Sequence, residues 1–182
     1  ISIDHGERMA SADIFTLTVR GEASHGSAPH LGHDAIVAAS AVIMALQTIV
    51  SRRNNPLNAL VLTLGTFEGG QRFNIIADKV AMDGTVRTFD PKFRFEIEEL
   101  IRQTASDVCR GYGCEAELEY SYLTGAVINS NAAVVNVARN AAEKLYGKDF
   151  LGSMVQIYGP RMLRYKGVLH VSGMDRKVVF QG

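Results

Sequence analysis

The chain of 182 residues lacks several features that would assign it to a functional class at once. It has no tryptophan, four prolines and two cysteines, and its 19 Lys and Arg residues balance its 19 Asp and Glu residues. This balance provides no overall field to attract nucleic acid or anionic lipid. Cys109 and Cys114 are too few and too widely spaced for a zinc ribbon or a disulfide scaffold. We interpret them as reduced core or edge residues of a cytoplasmic protein.

Long apolar runs are also scarce. The longest, residues 35–46, is interrupted by Ser40 and is too short to cross a bilayer, so we expect no membrane segment and no membrane partner. The sequence starts with Ile1 rather than Met, and its first residues have neither the basic end nor the apolar centre of a signal peptide. We therefore expect a piece of a longer chain.

The sequence does contain a regular succession of strand and helix patterns. Strands are predicted where apolar and polar residues alternate or β-branched residues cluster, over residues 13–22, 58–67, 73–89 with an interruption near 76–78, and 115–122. Helices are predicted where apolar residues recur at helical spacing, over residues 34–53, 92–111 and 131–146. The apolar face of the second helix, which includes Phe95, is expected to be buried. A glycine turn at Gly69-Gly70 would join the second and third strands in a hairpin.

This order predicts an α+β fold, a ferredoxin-like β-α-β-β-α-β sandwich with a C-terminal helix. Two helices would cover one face of a four-stranded antiparallel sheet. We place this domain at residues 13–124 and interpret residues 1–12 and 125–182 as connections, with no assignment after residue 147. Because open strand edges are templates for pairing, we expect a homodimer through a sheet edge and a helix.

Residues 21–35, GEASHGSAPHLGHDA, place three of the five histidines on the loop between the first strand and the first helix. Loops between rigid elements often carry functional side chains. His25, His30 and His33 could form a zinc site, although no carboxylate or cysteine lies at a supporting spacing. They could equally be surface groups. The adjacent pair Glu98-Glu99 is interpreted as part of a solvated helix face.

Four blocks, in order, resemble the lid or dimerisation domain of M20-type metallopeptidases. They are GEASHGSAPHLGHDA, LQTIVSR at 46–52, Gly69-Gly70 before FNIIAD at 73–78, and DGTVRTF at 83–89. Within that group the sequence is most similar to amidohydrolases that cleave N-acyl amino acids, hippurate and related conjugates. The resemblance implies a lid inserted into a catalytic domain that binds two divalent metal ions, zinc or manganese, and a small N-acyl amino acid substrate.

The resemblance also implies roles for three residues. His25 would be the catalytic lid residue that stabilises the oxyanion, often in the partner subunit's site. Asn74 would donate a hydrogen bond to the substrate, and Arg87 would bind a carboxylate at two points. His30, which follows Pro29, could either order the loop or contact the substrate. The metal-binding signatures of the catalytic domain do not occur in this sequence, so we expect no metal ligands here and no activity from this chain alone.

Other interpretations of the same residues stay open. Asn74 could be a turn residue, and Arg87 could pair across the sheet with Glu117 or Glu119. The whole chain could be a non-catalytic dimerisation or protein-interaction module. An RNA-binding domain of this strand order would carry paired aromatic and basic residues on its central strands. The predicted third strand lacks that signature, so we expect no nucleic-acid partner.

Overall fold

The computed structural model describes residues 3–148, and every structural statement below refers to that range. The strands are β1 (Gly6–Met9), β2 (Ala12–Arg20), β3 (Leu60–Leu64), β4 (Glu68–Gly69), β5 (Lys79–Thr88), β6 (Glu115–Thr124) and β7 (Val127–Asn129). The helices are α1 (Ala35–Thr48), α2 (Pro91–Gly111) and α3 (Ala132–Tyr146). A 3-10 turn at Pro29–Leu31 precedes α1, and a π-helical turn at Ile49–Arg53 follows it. The unassigned tail of the sequence from residue 149 onward lies outside the described residues.

The described residues form two compact units. One is Ser11–Gly125, and the other combines the described residues before and after it. In the second unit β1 pairs antiparallel with β7, and neither strand was predicted from the sequence. Asp4 joins this ribbon to α3 through Arg139, whose guanidinium lies 3.2 Å from the Asp4 carboxylate.

The unit Ser11–Gly125 contains an antiparallel sheet with the strand order β3-β5-β2-β6, and β4 also pairs with β5. The mixed α/β architecture with three helices and antiparallel sheets agrees with the prediction over the described residues. The sheet has five strands rather than the four expected, because Glu68 and Gly69 pair with Ala81 and Val80.

The core lies between one face of this sheet and the two helices α1 and α2. On β2, Phe15, Leu17 and Val19 point inward and are buried, as their alternation predicts. They pack in one cluster with side chains from both helices, namely Ala38, Val42 and Leu46 of α1 and Ile97, Ile101 and Ala105 of α2. Each fully buried large aliphatic side chain contributes about 1.5–3 kcal/mol, so this cluster is the main source of stability.

The helix starts agree with the sequence. Asp34 caps α1, because its carboxylate accepts hydrogen bonds from the backbone N–H groups of Ile36 and Val37. Phe95, predicted to be buried on α2, is 62% exposed and instead contacts the ring of Tyr122. On α3 the apolar residues Val134 and Val137 are likewise exposed.

The third predicted strand begins later than expected. It was placed from Phe73, but β5 starts at Lys79, and the short glycine hairpin is wrong because residues 65–78 separate β3 from β5. The reason is that the backbone of residues 74–78 hydrogen-bonds to the histidine loop instead of to a sheet neighbour. The sequence pattern typical of a strand therefore extends into residues 74–78, which pair with the histidine loop and not with a strand.

The helical segment Ala35–Arg53 is long and apolar enough, by length and a mean hydropathy of 1.7, to cross a membrane. It is longer than the run of residues 35–46 considered from the sequence. Its Ala38, Val42 and Leu46 are buried against the sheet, and a helix from the core of a folded domain satisfies the same criterion.

Candidate functional site

The histidine loop is closed at its base by backbone hydrogen bonds. The N–H groups of Glu22 and His33 each donate to the other residue's carbonyl at 2.9 Å. Gly21 lies where a Cβ atom would stand 2.1 Å from the His33 carbonyl oxygen, so only glycine fits this approach. The loop is consequently fixed where it leaves β2 and where it enters α1.

The tip of the loop is held by residues 74–78. The N–H of Gly26 donates to the Asn74 carbonyl at 2.8 Å, and the N–H of Ile76 donates to the Ser24 carbonyl at 2.8 Å. His25 and Ile75 form an isolated antiparallel bridge between these two bonds. This pairing brings His25 next to Asn74, two residues that are 49 positions apart in the sequence.

His25 is exposed, and one side of its ring is engaged. Its Nδ1 lies 2.7 Å from the Ser27 hydroxyl oxygen and accepts the backbone N–H of Ser27 at 3.2 Å. The orientation of the imidazole is therefore set within the loop itself. Sequence reasoning missed Ser27, although a hydroxyl residue two positions after a histidine is a local signal for such a bond.

Asn74 is exposed and lies in a turn, because the N–H of Ile75 donates to the Arg72 carbonyl. The interpretation of Asn74 as a turn residue is thus correct for its backbone. The neighbouring Phe73 is fully exposed, with a relative exposure of 104%. An unburied aromatic side chain and an exposed amide accordingly stand side by side at the tip of this segment.

The other two histidines of the loop are placed differently. His30 is exposed on the 3-10 turn. The His33 ring lies against Gly113, where a Cβ atom would stand 2.5 Å from Nδ1, and its Nε2 is 4.0 Å from a Glu22 carboxylate oxygen. Among the described residues there is no group of three or more His, Cys, Asp or Glu side chains that could hold a metal ion.

Arg87 is not near the loop in this chain. It lies on β5 opposite Val61 of β3, eight residues from Lys79, where the strand begins, which is about 26 Å at the usual rise per residue. The proposed partner Glu117 binds Arg20 instead, with the guanidinium 2.9 Å from its carboxylate. The structure brings His25 and Asn74 together and leaves Arg87 one strand in from the β3 edge.

A buried polar network, also missed from the sequence, joins β2, α2 and β6. Asp13 is 0% exposed, and its carboxylate accepts two hydrogen bonds from Arg94, one of them from Nε at 2.9 Å. The Tyr120 hydroxyl donates to the same carboxylate at 3.4 Å, and burial together with Asp13 raises the pKa of Tyr120. The sequence signal was an acid at an inward position of β2.

Asp13 also compensates an irregularity in the sheet. Ala12 pairs with Thr124 and Asp13 with Tyr122, so Leu123 is an extra residue in β6. The backbone N–H of Leu123 donates to the Asp13 carboxylate at 3.3 Å. The carboxylate thus accepts the hydrogen bond that the N–H of the bulge residue does not make within the β2–β6 pairing.

The two cysteines are core residues, as predicted. Both are buried and free, and burial raises the pKa of the Cys109 thiol to about 11. Glu98 departs from the solvated-face interpretation, because it accepts the Tyr122 hydroxyl at 2.7 Å and binds Arg102. Its neighbour Glu99 is largely exposed.

Comparison with known proteins identifies this arrangement of loop, sheet and helices. A family model described as a peptidase dimerisation domain, of the M20 group, matches residues 11–113. The chain belongs to this M20 family. The family resemblance predicted from the four sequence blocks is therefore confirmed.

Relatives of this M20 dimerisation domain include enzymes. The chain is 35% identical over 144 residues to N-acetyl-L-cysteine deacetylase of Bacillus subtilis, covering 79% of this chain and 34% of that protein. It is 36% identical over 143 residues to hippurate hydrolase of Campylobacter jejuni, covering 79% of this chain and 37% of that protein. The chain therefore spans little more than a third of the length of these curated relatives.

A solved structure from Bacillus subtilis, described as a dinuclear metal-binding peptidase from the M20 family, is also similar. It shares 28% identity with this chain at a TM-score of 0.65, covering 87% of this chain and 38% of that protein. The match in fold and in sequence agrees with the family assignment.

Proposed function

We propose that this chain is the lid and dimerisation portion of a metal-dependent amidohydrolase that cleaves the amide bond of N-acyl amino acids or similar conjugates. The names of the deacetylase and hippurate hydrolase relatives support this substrate class. The dinuclear metal-binding neighbour supports a pair of divalent metals, zinc or manganese, in the complete enzyme. The described residues do not offer a ligand group for such metals, so these would be held elsewhere in that enzyme.

The observation that carries the proposal is the pairing of the histidine loop with residues 74–76, which places His25 beside Asn74. Amide hydrolysis passes through a tetrahedral intermediate with negative charge on oxygen. A donor fixed in advance at that oxygen lowers the barrier, and removing one such donor costs about 10²–10³ in kcat. We assign this donor role to His25, with Asn74 and His30 as substrate contacts and Arg87 as a carboxylate contact.

Dimerisation is proposed through β3 and α1. The outer edge of β3 carries no charged residue between Leu60 and Leu64, and α1 carries none between Ala35 and Thr48. Met44 on α1 is 71% exposed, and an exposed apolar surface beside an open strand edge favours pairing with a second copy. Arg87, opposite Val61 of β3, would then lie close to the dimer axis. We classify the sheet order with its two helices as ferredoxin-like.

Replacing His25 in the complete enzyme tests the proposal. We expect His25→Asn to lower kcat for an N-acyl amino acid about 10²–10³-fold, because the amide cannot reproduce the placement of the imidazole donor. His33→Gln is the matched control on the same loop and is expected to retain activity. Full activity of His25→Asn, or hydrolysis by the 182-residue chain alone, would contradict the proposal.

A further inference from the structure

The His25 ring carries its single proton, when neutral, on one of two nitrogens. Which nitrogen is protonated depends on the groups that face them. Nδ1 faces Ser27 twice, through the backbone N–H at 3.2 Å and through the hydroxyl oxygen at 2.7 Å. These two contacts decide the tautomer.

A backbone N–H can only donate a hydrogen bond, whereas a serine hydroxyl can donate or accept. If Nδ1 carried the proton, two N–H hydrogens would point at each other across 3.2 Å. Nδ1 must therefore accept, and the proton stands on Nε2. The hydroxyl adds a second donor to the same nitrogen. We infer that Ser27 is a positioning residue that holds His25 in the Nε2–H tautomer.

The direction of the Ser27 N–H is fixed by the backbone on both sides. The preceding residue, Gly26, donates its own N–H to the Asn74 carbonyl at 2.8 Å. The following residue, Ala28, donates to the His25 carbonyl at 2.8 Å. A Cβ atom at Gly26 would stand 3.0 Å from the Asn74 oxygen, so a larger residue there would require the backbone at residue 74 to shift by a few tenths of an ångström. The tautomer is thus set by the same pairing that brings His25 beside Asn74.

The chemical consequence rests on the proposed function. An oxyanion needs a hydrogen-bond donor, and the Nε2–H tautomer presents an N–H on the side of the ring that faces away from Ser27. The opposite tautomer would present a lone pair there and repel the oxyanion. Ser27 therefore selects, before substrate binds, the form of His25 that can stabilise the intermediate.

The tautomer can be measured directly by long-range proton–nitrogen NMR correlation on the ¹⁵N-labelled chain, at alkaline pH where imidazoles are neutral. His25→Gln identifies the signals by removing them. We expect the wild-type chain to show the Nε2–H pattern. Ser27→Ala, which keeps the N–H and loses the hydroxyl, should shift the tautomer ratio toward Nδ1–H about five-fold. Ser27→Thr should restore the ratio.

Ser24→Ala is the matched control, because it removes a hydroxyl from the same loop on the other side of His25. The Ser24 hydroxyl has no hydrogen-bond partner among the described residues, so its removal should leave the tautomer ratio unchanged. An Nδ1–H pattern in the wild-type chain, or the same tautomer ratio in Ser27→Ala as in Ser24→Ala, would overturn the assignment.

In the complete enzyme, Ser27→Ala should lower kcat by at most about five-fold with little change in KM, because the population of the Nε2–H form cannot fall by more than the tautomer ratio does. The two proposals fail separately. Full activity of His25→Asn would remove the oxyanion role and leave the measured tautomer intact, whereas a wrong tautomer would remove the role of Ser27 while the activity loss of His25→Asn stands.

Discussion

The two edges of the main sheet are built from opposite chemistry. At one edge, β3 and α1 are uncharged and expose apolar side chains such as Met44. At the other edge, β6 carries Glu115, Glu117 and Glu119 on its solvent-exposed face. Helix α2 places Glu98 and Arg102 beside this strand. A charged edge resists pairing with another strand, whereas an apolar edge invites it. This difference supports the proposal that the dimer forms through the β3 edge and not through the β6 edge.

The two sides also differ in how they are held to the core. Beside β3, aliphatic side chains of α1 such as Val42 and Leu46 pack on the sheet. Beside β6, Asp13, Arg94 and Tyr120 form a buried polar network, and Arg94 also lies 5.2 Å from the ring centre of Tyr122. Truncating an apolar side chain costs more stability as more buried apolar area is lost, whereas removing one partner of a buried ion pair leaves the other charge buried and uncompensated. Three predictions test this contrast.

The largest effect is expected at the buried pair. Arg94→Ala should lower the free energy of unfolding by about 3–5 kcal/mol, because it leaves the fully buried Asp13 carboxylate without its counter-charge. Arg102→Ala, which removes an exposed guanidinium from the same helix, should cost at most about 1 kcal/mol. Urea unfolding of the whole chain measures both values. Equal losses in the two variants would show that the network does not hold β6.

A smaller but distinct effect is expected at the association edge. Met44→Glu should raise the dimer dissociation constant about 30-fold or more, because it places a charge in the proposed interface. Ser121→Glu introduces the same side chain on exposed β6 and should leave dissociation unchanged. Analytical ultracentrifugation measures both constants. If only Ser121→Glu caused dissociation, the interface would lie at β6 and the proposed interface would be wrong. A monomeric wild-type chain would contradict the dimer proposal itself.

Hydrophobic periodicity was sufficient to predict the strands and helices that pack against each other in the core. The alternation of Phe15, Leu17 and Val19 predicted the buried face of β2, and Asp34 predicted the start of α1. Periodicity failed at residues 73–78, since a β-branched run has the same appearance whether its backbone binds a strand or a loop. It also placed Phe95 in the core, whereas that side chain packs on Tyr122 at the surface.

The candidate site shows the same division. The block around His25 could be found from the sequence, because an ordered set of motifs marked it. The proximity of His25 and Asn74 could not be predicted, because it depends on hydrogen bonds between backbone groups, and these groups are the same in all residues except proline. Asp13 was missed for a related reason. Its role depends on hydrogen bonds to Arg94, which is 81 positions away, and to the bulge residue Leu123, and no local sequence pattern predicts either contact.

The smallest effect concerns the tyrosine hydroxyl at the polar side of the sheet. Burial, with help from the bond to Glu98, raises the pKa of Tyr122 from 10.0 to about 12. Because the folded chain holds this proton more tightly than the unfolded chain, the contribution is complete below pH 10 and is lost as the pH rises toward 12. Tyr122→Phe should cost at most about 1 kcal/mol at pH 8, and the gap to wild type should narrow above pH 10. Tyr112→Phe, outside the network, is the control. Urea unfolding between pH 8 and 11.5 measures the gap, and a gap independent of pH would show that the Tyr122 proton is not linked to folding.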